Sequence, residues 1–123
     1  AVKQWGNVGG LIAGLMKNDF DLISRSLVDI IVEPIRSVLI PCFDEVKSKS
    51  LAAGALGGGI SGTGPSMFMI CKDQKTALEV EKLAKEIYQN IGLPCNTYVT
   101  NLNKRGVQIQ DINELIQNEN ALL

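Results

Sequence analysis

A glycine-rich stretch at residues 54–71, GALGGGISGTGPSMFMIC, limits what this chain can fold into more than any other part of the sequence. The stretch holds six of the chain's 12 glycines, and Pro65 and an apolar run of strand type follow them directly. Glycine permits positive φ and lets the backbone approach a ligand or another segment closely. We therefore expect a tight loop that borders a ligand and leads into a buried strand; a loop that serves tight packing alone is the alternative.

Three known binding motifs do not fit this stretch. Gly57, Gly59 and Gly62 have the spacing G-x-G-x-x-G, but a dinucleotide-binding loop opens a helix, and here Pro65 and a strand pattern follow. A P-loop would carry lysine where Thr63 stands. A KH-type loop lies on a basic surface, whereas this loop is uncharged. The remaining interpretation is a glycine loop that offers backbone N–H groups and hydroxyls.

The composition excludes several classes of protein. The 123 residues, 46% of them apolar, suffice for one domain with its own core. Because 12 basic residues face 13 acidic ones and the net charge is −1, we expect no nucleic-acid partner and no membrane partner. The chain has no histidine and its three cysteines lie far apart. We therefore expect no metal site, no histidine-activated nucleophile, and reduced, mostly buried thiols in a cytoplasmic protein.

The first part of the chain is predicted to be helical. Apolar residues recur there with helical spacing, and Asn18 with Asp19 provides an N-cap between the first two helices, which should pack as an antiparallel pair. Pro34 ends the second helix and Gly54 ends the third. The glycines of the first helix indicate close packing against a neighbour. The three predicted helices cover residues 2–17, 20–32 and 41–53.

The second part is predicted to form a small, mostly antiparallel sheet with one helix. Two strands flank the glycine loop, one from Ala55 and one over residues 66–71, and Asp73 caps a helix that Gly92 ends. Alternating residues predict two more strands over 95–102 and 107–110. The tail could be a short helix or loose, and both alternatives stay open. The sum is an α+β fold, a two-layer ferredoxin-like sandwich.

Arg36 is the charged residue that we single out. It stands two residues after the helix-breaking Pro34, and an arginine on such a corner can offer a bidentate fork to a carboxylate or phosphate. From residue type alone, an ion pair with Glu33 or another acidic residue is the more frequent arrangement.

Two stretches resemble a known family. The core of the glycine stretch, Ile60-Ser61-Gly62-Thr63-Gly64-Pro65-Ser66, resembles the third signature motif of the GHMP kinase superfamily. The run EPIRSVLIPCFDEVK at residues 33–47 and the opening helix with Asn7 are similar to homoserine kinases. The resemblance implies a GHMP kinase C-terminal domain over residues 1–110, with helices over 1–53 and loop, sheet and helix over 54–110. Residues 111–123 form a tail outside that domain.

The resemblance also implies an activity. Such kinases transfer the γ-phosphate of ATP, with Mg²⁺, to the hydroxyl of L-homoserine, which leads to threonine. By position, Arg36 holds the carboxylate of the substrate, and the loop residues Ser61, Gly62, Thr63 and Gly64 border the active site and support the phosphate-binding loop. Neither a catalytic residue nor a metal-binding residue is expected in this chain, because phosphoryl transfer depends mainly on positioning and charge neutralisation.

The nucleotide-binding motif of the family, P-x-x-x-G-L-G-S-S-A, does not occur in these 123 residues. We therefore expect the chain alone to be inactive, ATP and Mg²⁺ to bind through an N-terminal domain, and the apolar face of the first helix to favour a homodimer. Two alternatives remain. One is another GHMP kinase, such as diphosphocytidyl-methylerythritol kinase, against which the Glu33-Pro34-Ile35-Arg36 corner argues. The other is a non-catalytic, ferredoxin-like ligand-binding module.

Overall fold

The chain begins with two antiparallel helices, α1 (Val2–Lys17) and α2 (Phe20–Ser26). The computed structural model describes the backbone of residues 1–122 and the side chains of residues 1–117. Asp19 caps α2 as predicted, because its carboxylate accepts the N–H of Leu22 at 3.0 Å. Glycine allows the two helices to approach closely, since a Cβ placed on Gly14 would lie 2.9 Å from Cγ1 of Ile23. The predicted packing against a neighbouring helix is confirmed at this position.

The opposite face of α1 is apolar and exposed. A Cβ on Gly6 or Gly9 would meet no atom within 4 Å. The predicted apolar stripe of this helix also lies in solvent, with 77% of Trp5 and 56% of Val8 exposed. The helix therefore packs through its small residues and leaves its large apolar residues uncovered.

The predicted extent of the second helix is wrong, because α2 ends at Ser26 and not near Val32. Leu27 leaves the helical conformation with ψ 56°. The side chain of Asp29 then accepts the N–H groups of the residues that follow, so these N–H groups are not available for helical hydrogen bonds. Pro34 does not end a helix but lies in the first turn of the short helix α3 (Glu33–Arg36).

The helix predicted over residues 41–53 is present as α4 (Phe43–Ala52). The chain passes through a 3₁₀ turn (Ser37–Leu39) into α4, which Gly54 follows with φ 108°. Phe43 and Val46 of α4 are buried, and Ser50 rather than Leu51 faces inward. The core joins this helix to its neighbours, and among the side chains of residues 1–117 it contains these buried apolar residues: Ile23, Leu27, Ile40, Phe43, Val46, Ala55, Val80 and Ile87.

The sheet of the described residues has two antiparallel strands, β1 (Gly57–Ile60) and β2 (Met67–Ile70). Gly57 pairs with Ile70 and Ile60 pairs with Met67, so residues 61–66 form the loop of a hairpin. Glycine is required in β1, because a Cβ on Gly58 would lie 2.2 Å from the carbonyl oxygen of Phe68. The strand also lies close to the end of α2, because a Cβ on Gly57 would lie 2.7 Å from Cβ of Leu27.

The helix α5 (Gln74–Asn90) follows β2, and Asp73 caps it by accepting the N–H of Thr76 at 2.8 Å, as predicted. The predicted strands over 95–102 and 107–110 are wrong, since this part of the chain has no regular secondary structure. Val107 and Ile109 are fully exposed, and an alternating pattern forms a strand only where another strand supplies hydrogen bonds. Cys95 is exposed as well, whereas Cys42 and Cys71 are half-buried, so the prediction of buried thiols is also wrong.

The tail contains the helix α6 (Ile112–Leu122), which settles the open choice between a helix and a loose segment; Leu123 lies outside the described residues. Helices packed on a small antiparallel sheet confirm the predicted α+β class. Within residues 1–122, no helix is long and apolar enough to cross a bilayer.

Candidate functional site

The hairpin loop at residues 61–66 holds four of the predicted site residues: Ser61, Gly62, Thr63 and Gly64. Ser61 donates its N–H to the carbonyl of Ser66 at 2.8 Å, and Gly64 donates to the carbonyl of Ser61 at 3.1 Å. Gly62 and Gly64 have φ of 59° and 78°, a conformation that favours glycine. The N–H groups of Gly62 and Thr63 have no backbone acceptor among the described residues. The loop therefore presents free backbone donors and exposed hydroxyls.

The loop lies against the segment that follows Arg36. A Cβ on Gly64 would lie 3.3 Å from Cδ1 of Ile40, a buried residue directly after the 3₁₀ turn. Gly64 thus allows the loop to contact the same segment of chain that carries the arginine. The loop therefore packs on Ile40, four residues after Arg36 in the sequence.

The corner that carries Arg36 is held by the carboxylate of Asp29. Its Oδ1 accepts the N–H of Ile31 at 2.9 Å and of Val32 at 3.0 Å, and its Oδ2 accepts the N–H of Glu33 at 3.1 Å. Gln4 of α1 donates to Oδ1 at 3.2 Å and accepts the N–H of Ile30 at 3.0 Å. These contacts connect the start of α3 to the first helix.

The pKa of Asp29 reflects this arrangement. Burial of the carboxylate raises its pKa, but the hydrogen bonds from the backbone of Val32, Ile31 and Glu33 and from Gln4 together outweigh that effect. The net result is a pKa below the ordinary value of 3.8. The charged form is therefore favoured by the folded corner, and folding of the corner is favoured by the charge.

Glu33 forms an ion pair with Lys47 of α4. Both side chains are largely buried, with 15% of Glu33 and 18% of Lys47 exposed. Oε1 of Glu33 contacts the ammonium, while Oε2 is buried without a hydrogen-bond partner among the described residues. A Cβ on Gly59 would lie 3.0 Å from Oε2, so the absent side chain of Gly59 makes room for the carboxylate. α3 is thereby fixed to α4 and β1.

Arg36 itself is the last residue of α3 and is half-buried. In the part of the chain that the structure describes, its guanidinium takes part in no ion pair or side-chain hydrogen bond. The ion pair with Glu33 that residue type favoured is therefore not formed. An unpaired, half-buried guanidinium on a fixed corner can accept a carboxylate or phosphate group from outside.

Sequence reasoning missed three residues of this site: Gln4, Asp29 and Lys47. An aspartate just before a proline-containing corner is a signal for Asp29, because short polar side chains often accept N–H groups a few residues on. Lys47 has no such local signal, since its partner lies 14 residues away.

Two grooves of the described residues lie away from this corner and loop. Two shallow grooves lie along α5, one lined by Leu78 and Lys82 and the other between Lys49 and Glu86, and neither includes Arg36 or the loop. The described residues contain no group of three or more His, Cys, Asp or Glu side chains that could hold a metal ion.

Comparison with known proteins identifies the family of this chain. The family profile described as GHMP kinases C terminal matches residues 11–90, which include Arg36 and residues 61–64. A homoserine kinase of Chlorobaculum tepidum is 44% identical over 111 residues, and one of Chloroherpeton thalassium is 47% identical over 91 residues. These matches cover 89% and 74% of this chain but 34% and 28% of the relatives, so the chain spans about a third of the length of the curated relatives that it matches.

A solved structure is similar as well. The crystal structure of homoserine kinase from Cytophaga hutchinsonii matches with a TM-score of 0.81 and 52% sequence identity, over 86% of this chain and 34% of that chain. The family match covers most of the chain. It includes both the hairpin with its glycine loop and the corner that carries Arg36. From these comparisons we conclude that this chain belongs to the GHMP kinases C terminal family.

Proposed function

We propose that this chain is the substrate-binding C-terminal part of a homoserine kinase, an enzyme that converts ATP and L-homoserine into ADP and O-phospho-L-homoserine for threonine biosynthesis. The unpaired guanidinium of Arg36 is the observation that carries the proposal. It matches the carboxylate of an amino-acid substrate. The name homoserine kinase, which the relatives and the solved structure share, supports the choice of substrate.

In this proposal Arg36 binds the substrate carboxylate and the loop lies beside the phosphates. Ser61, Gly62, Thr63 and Gly64 support the phosphate-binding region, with the free N–H groups of Gly62 and Thr63 as donors to phosphate oxygens. Backbone donors suit this chemistry, because the transferred phosphoryl group spreads its charge over its oxygens. No residue of the chain transfers a proton in this scheme.

ATP and Mg²⁺ fit this chain only in part. The loop offers donors for phosphate oxygens, but the described residues offer no metal-ligand cluster. We therefore propose that the nucleotide and its Mg²⁺ are held mainly by an N-terminal domain and that the isolated chain has no kinase activity. Division of the chain into a domain at 1–110 and a tail at 111–123 remains a prediction, as do a cytoplasmic location and a homodimer formed through the exposed face of α1.

A chimeric enzyme tests the proposal. This chain would replace the matching 111-residue segment of the Chlorobaculum tepidum homoserine kinase, and formation of ADP and O-phospho-L-homoserine would be measured. We expect the chimera to phosphorylate homoserine and the isolated chain to be inactive. In the chimera, Arg36→Ala should raise KM for homoserine about 30-fold, or about 2 kcal/mol, because charged hydrogen bonds each contribute roughly 1.5–3 kcal/mol.

The matched control is Arg25→Ala, which removes an exposed arginine from α2. It should leave KM for homoserine unchanged, and neither variant should change KM for ATP. The proposal fails if a folded, ATP-binding chimera phosphorylates another alcohol but not homoserine, or if the two arginine variants behave alike.

A further inference from the structure

Glu33 and Arg36 lie three residues apart on the same short helix. Side chains at this spacing are neighbours on a helix surface, and glutamate before arginine is the favourable order for an ion pair. The helix would therefore be expected to neutralise its own arginine. A neutralised guanidinium would bind a substrate carboxylate poorly, because the incoming group would have to displace Glu33.

The fold directs Glu33 to a different cation. Its carboxylate contacts the ammonium of Lys47, whose side chain leaves α4 toward the start of α3. Lys47 is itself held in place, with its Nζ 5.8 Å from the ring centroid of Phe43, one turn before it on α4. The second oxygen of Glu33 lies buried over Gly59 of β1. The carboxylate is thus enclosed by α4 and β1 on the side that faces the protein interior.

We propose that Lys47 is a positioning residue that keeps Arg36 free: it binds the carboxylate of Glu33, which would otherwise pair with the guanidinium. Removal of the ammonium leaves a largely buried carboxylate without a counter-charge. Such a group is strongly driven to find a new cation, and Arg36 is adjacent on the same helix. Binding of an amino-acid carboxylate by the free guanidinium rests on the proposed function. The inference that Lys47 keeps Arg36 from pairing with Glu33 does not rest on it.

The pairing state can be measured on the 123-residue chain by the rate at which phenylglyoxal modifies each arginine, read by peptide mass spectrometry. The sequence contains three arginines, so Arg25 and Arg105 serve as internal references in the same sample. We expect Lys47→Met to slow the modification of Arg36 at least threefold relative to both references. The double variant Lys47→Met/Glu33→Gln should restore the wild-type rate, because it also removes the competing carboxylate.

Three further variants make the test specific. Lys47→Arg preserves the ion pair and should leave Arg36 reactive. Lys49→Met removes an exposed ion pair with Glu45 from the same helix and should also have no effect. Lys47→Gln also removes the charge; if circular dichroism shows that Lys47→Met does not fold, Lys47→Gln should slow the modification of Arg36 in its place, and an unchanged rate overturns the proposal. The proposal is overturned if Arg36 reacts at the wild-type rate in the folded variant, or if the double variant does not restore it.

The chimera separates this proposal from the proposed function. If the chimera without any substitution does not phosphorylate homoserine, the proposed function fails. The rates of phenylglyoxal modification of Arg36 still decide the role of Lys47. If the chimera is active, Lys47→Met should raise KM for homoserine about tenfold with kcat nearly unchanged, and the added Glu33→Gln should reverse the increase. If Lys47 had only a structural role, Lys47→Met would lower kcat and stability, and the added Glu33→Gln would not reverse these losses.

Discussion

Replacement of Asp29 by asparagine should destabilise the corner that carries Arg36 in a pH-dependent way. The side chain of asparagine keeps one acceptor oxygen for Ile31, Val32 and Gln4, whose donors lie at 2.9, 3.0 and 3.2 Å. The second oxygen, which accepts the N–H of Glu33 at 3.1 Å, becomes an amide NH₂. Two donors then face each other, and the remaining bonds lose the contribution of the negative charge.

The expected loss in the free energy of unfolding is about 1–2 kcal/mol. Each neutral hydrogen bond contributes roughly 0.5–1.5 kcal/mol net, and a bond to a charged acceptor contributes more. Summed over the hydrogen bonds that Asp29 accepts, these contributions would exceed the expected loss. Because Ile31 and Val32 are exposed, solvent competes for their bonds, and the lower end of the range applies. For a chain of this length, the loss corresponds to a decrease in Tm of about 4–8 °C.

The pH dependence identifies the charge as the cause. The folded-state pKa of Asp29 lies below 3.8, so ionisation contributes stability that is fully present above about pH 5 and is lost as the pH falls through 3.8 and then through the folded-state pKa. Asparagine does not titrate. The difference in unfolding free energy between the wild type and Asp29→Asn should therefore shrink as the pH is lowered from 7 toward 3.

Urea unfolding followed by circular dichroism at several pH values measures this difference. Asp19→Asn is the matched control, because Asp19 accepts a single N–H at the start of α2 and asparagine is an equally good N-cap residue. The reasoning is refuted if Asp29→Asn costs no more than Asp19→Asn near pH 7, or if its cost is the same at pH 3 as at pH 7.

Two further predictions concern backbone positions and can be checked by thermal unfolding. Gly14→Ala should destabilise the chain by about 1–2 kcal/mol, since its Cβ would lie 2.9 Å from Ile23, whereas Gly9→Ala on the same helix meets no atom within 4 Å and should stabilise it by about 0.5–1 kcal/mol; equal signs would contradict the packing of α1 on α2. Cys42 has φ 58°, so Cys42→Gly should stabilise by about 0.5 kcal/mol and Cys42→Val should destabilise by about 1 kcal/mol or more, and a more stable valine variant would contradict this conformation.

Local signals predicted the parts of the fold that depend on neighbouring residues. Asp19 and Asp73 cap their helices, and Gly54 and Gly92 follow helix ends with positive φ. These residues act on hydrogen-bonding groups one to four positions away, so their effects can be read from short stretches of sequence. The glycines of β1 were also recognised as a site of close approach, although the sequence does not show which atoms approach them.

Effects that depend on distant partners were not predictable. The apolar residues that follow Ser26 continue the helical spacing, but Asp29 takes up the N–H groups that a longer helix would use. Residues 95–102 alternate as a strand does, but a strand also needs a partner for its backbone, and none pairs with them within residues 1–122. In both cases the hydrophobic pattern was read correctly and the hydrogen-bond partners were not.

The corner that carries Arg36 depends both on local sequence signals and on distant partners. The motif predicted a role for Arg36, but the contacts that fix its corner come from three separate elements: Gln4 in α1, Lys47 in α4 and Gly59 in β1. All three belong to this chain, so the position of the corner is set by packing within the chain itself. In the proposed function, carboxylate binding is therefore separable from phosphate transfer, because we propose that the first requires the corner alone and that the second also requires a nucleotide beside the free N–H groups of the glycine loop.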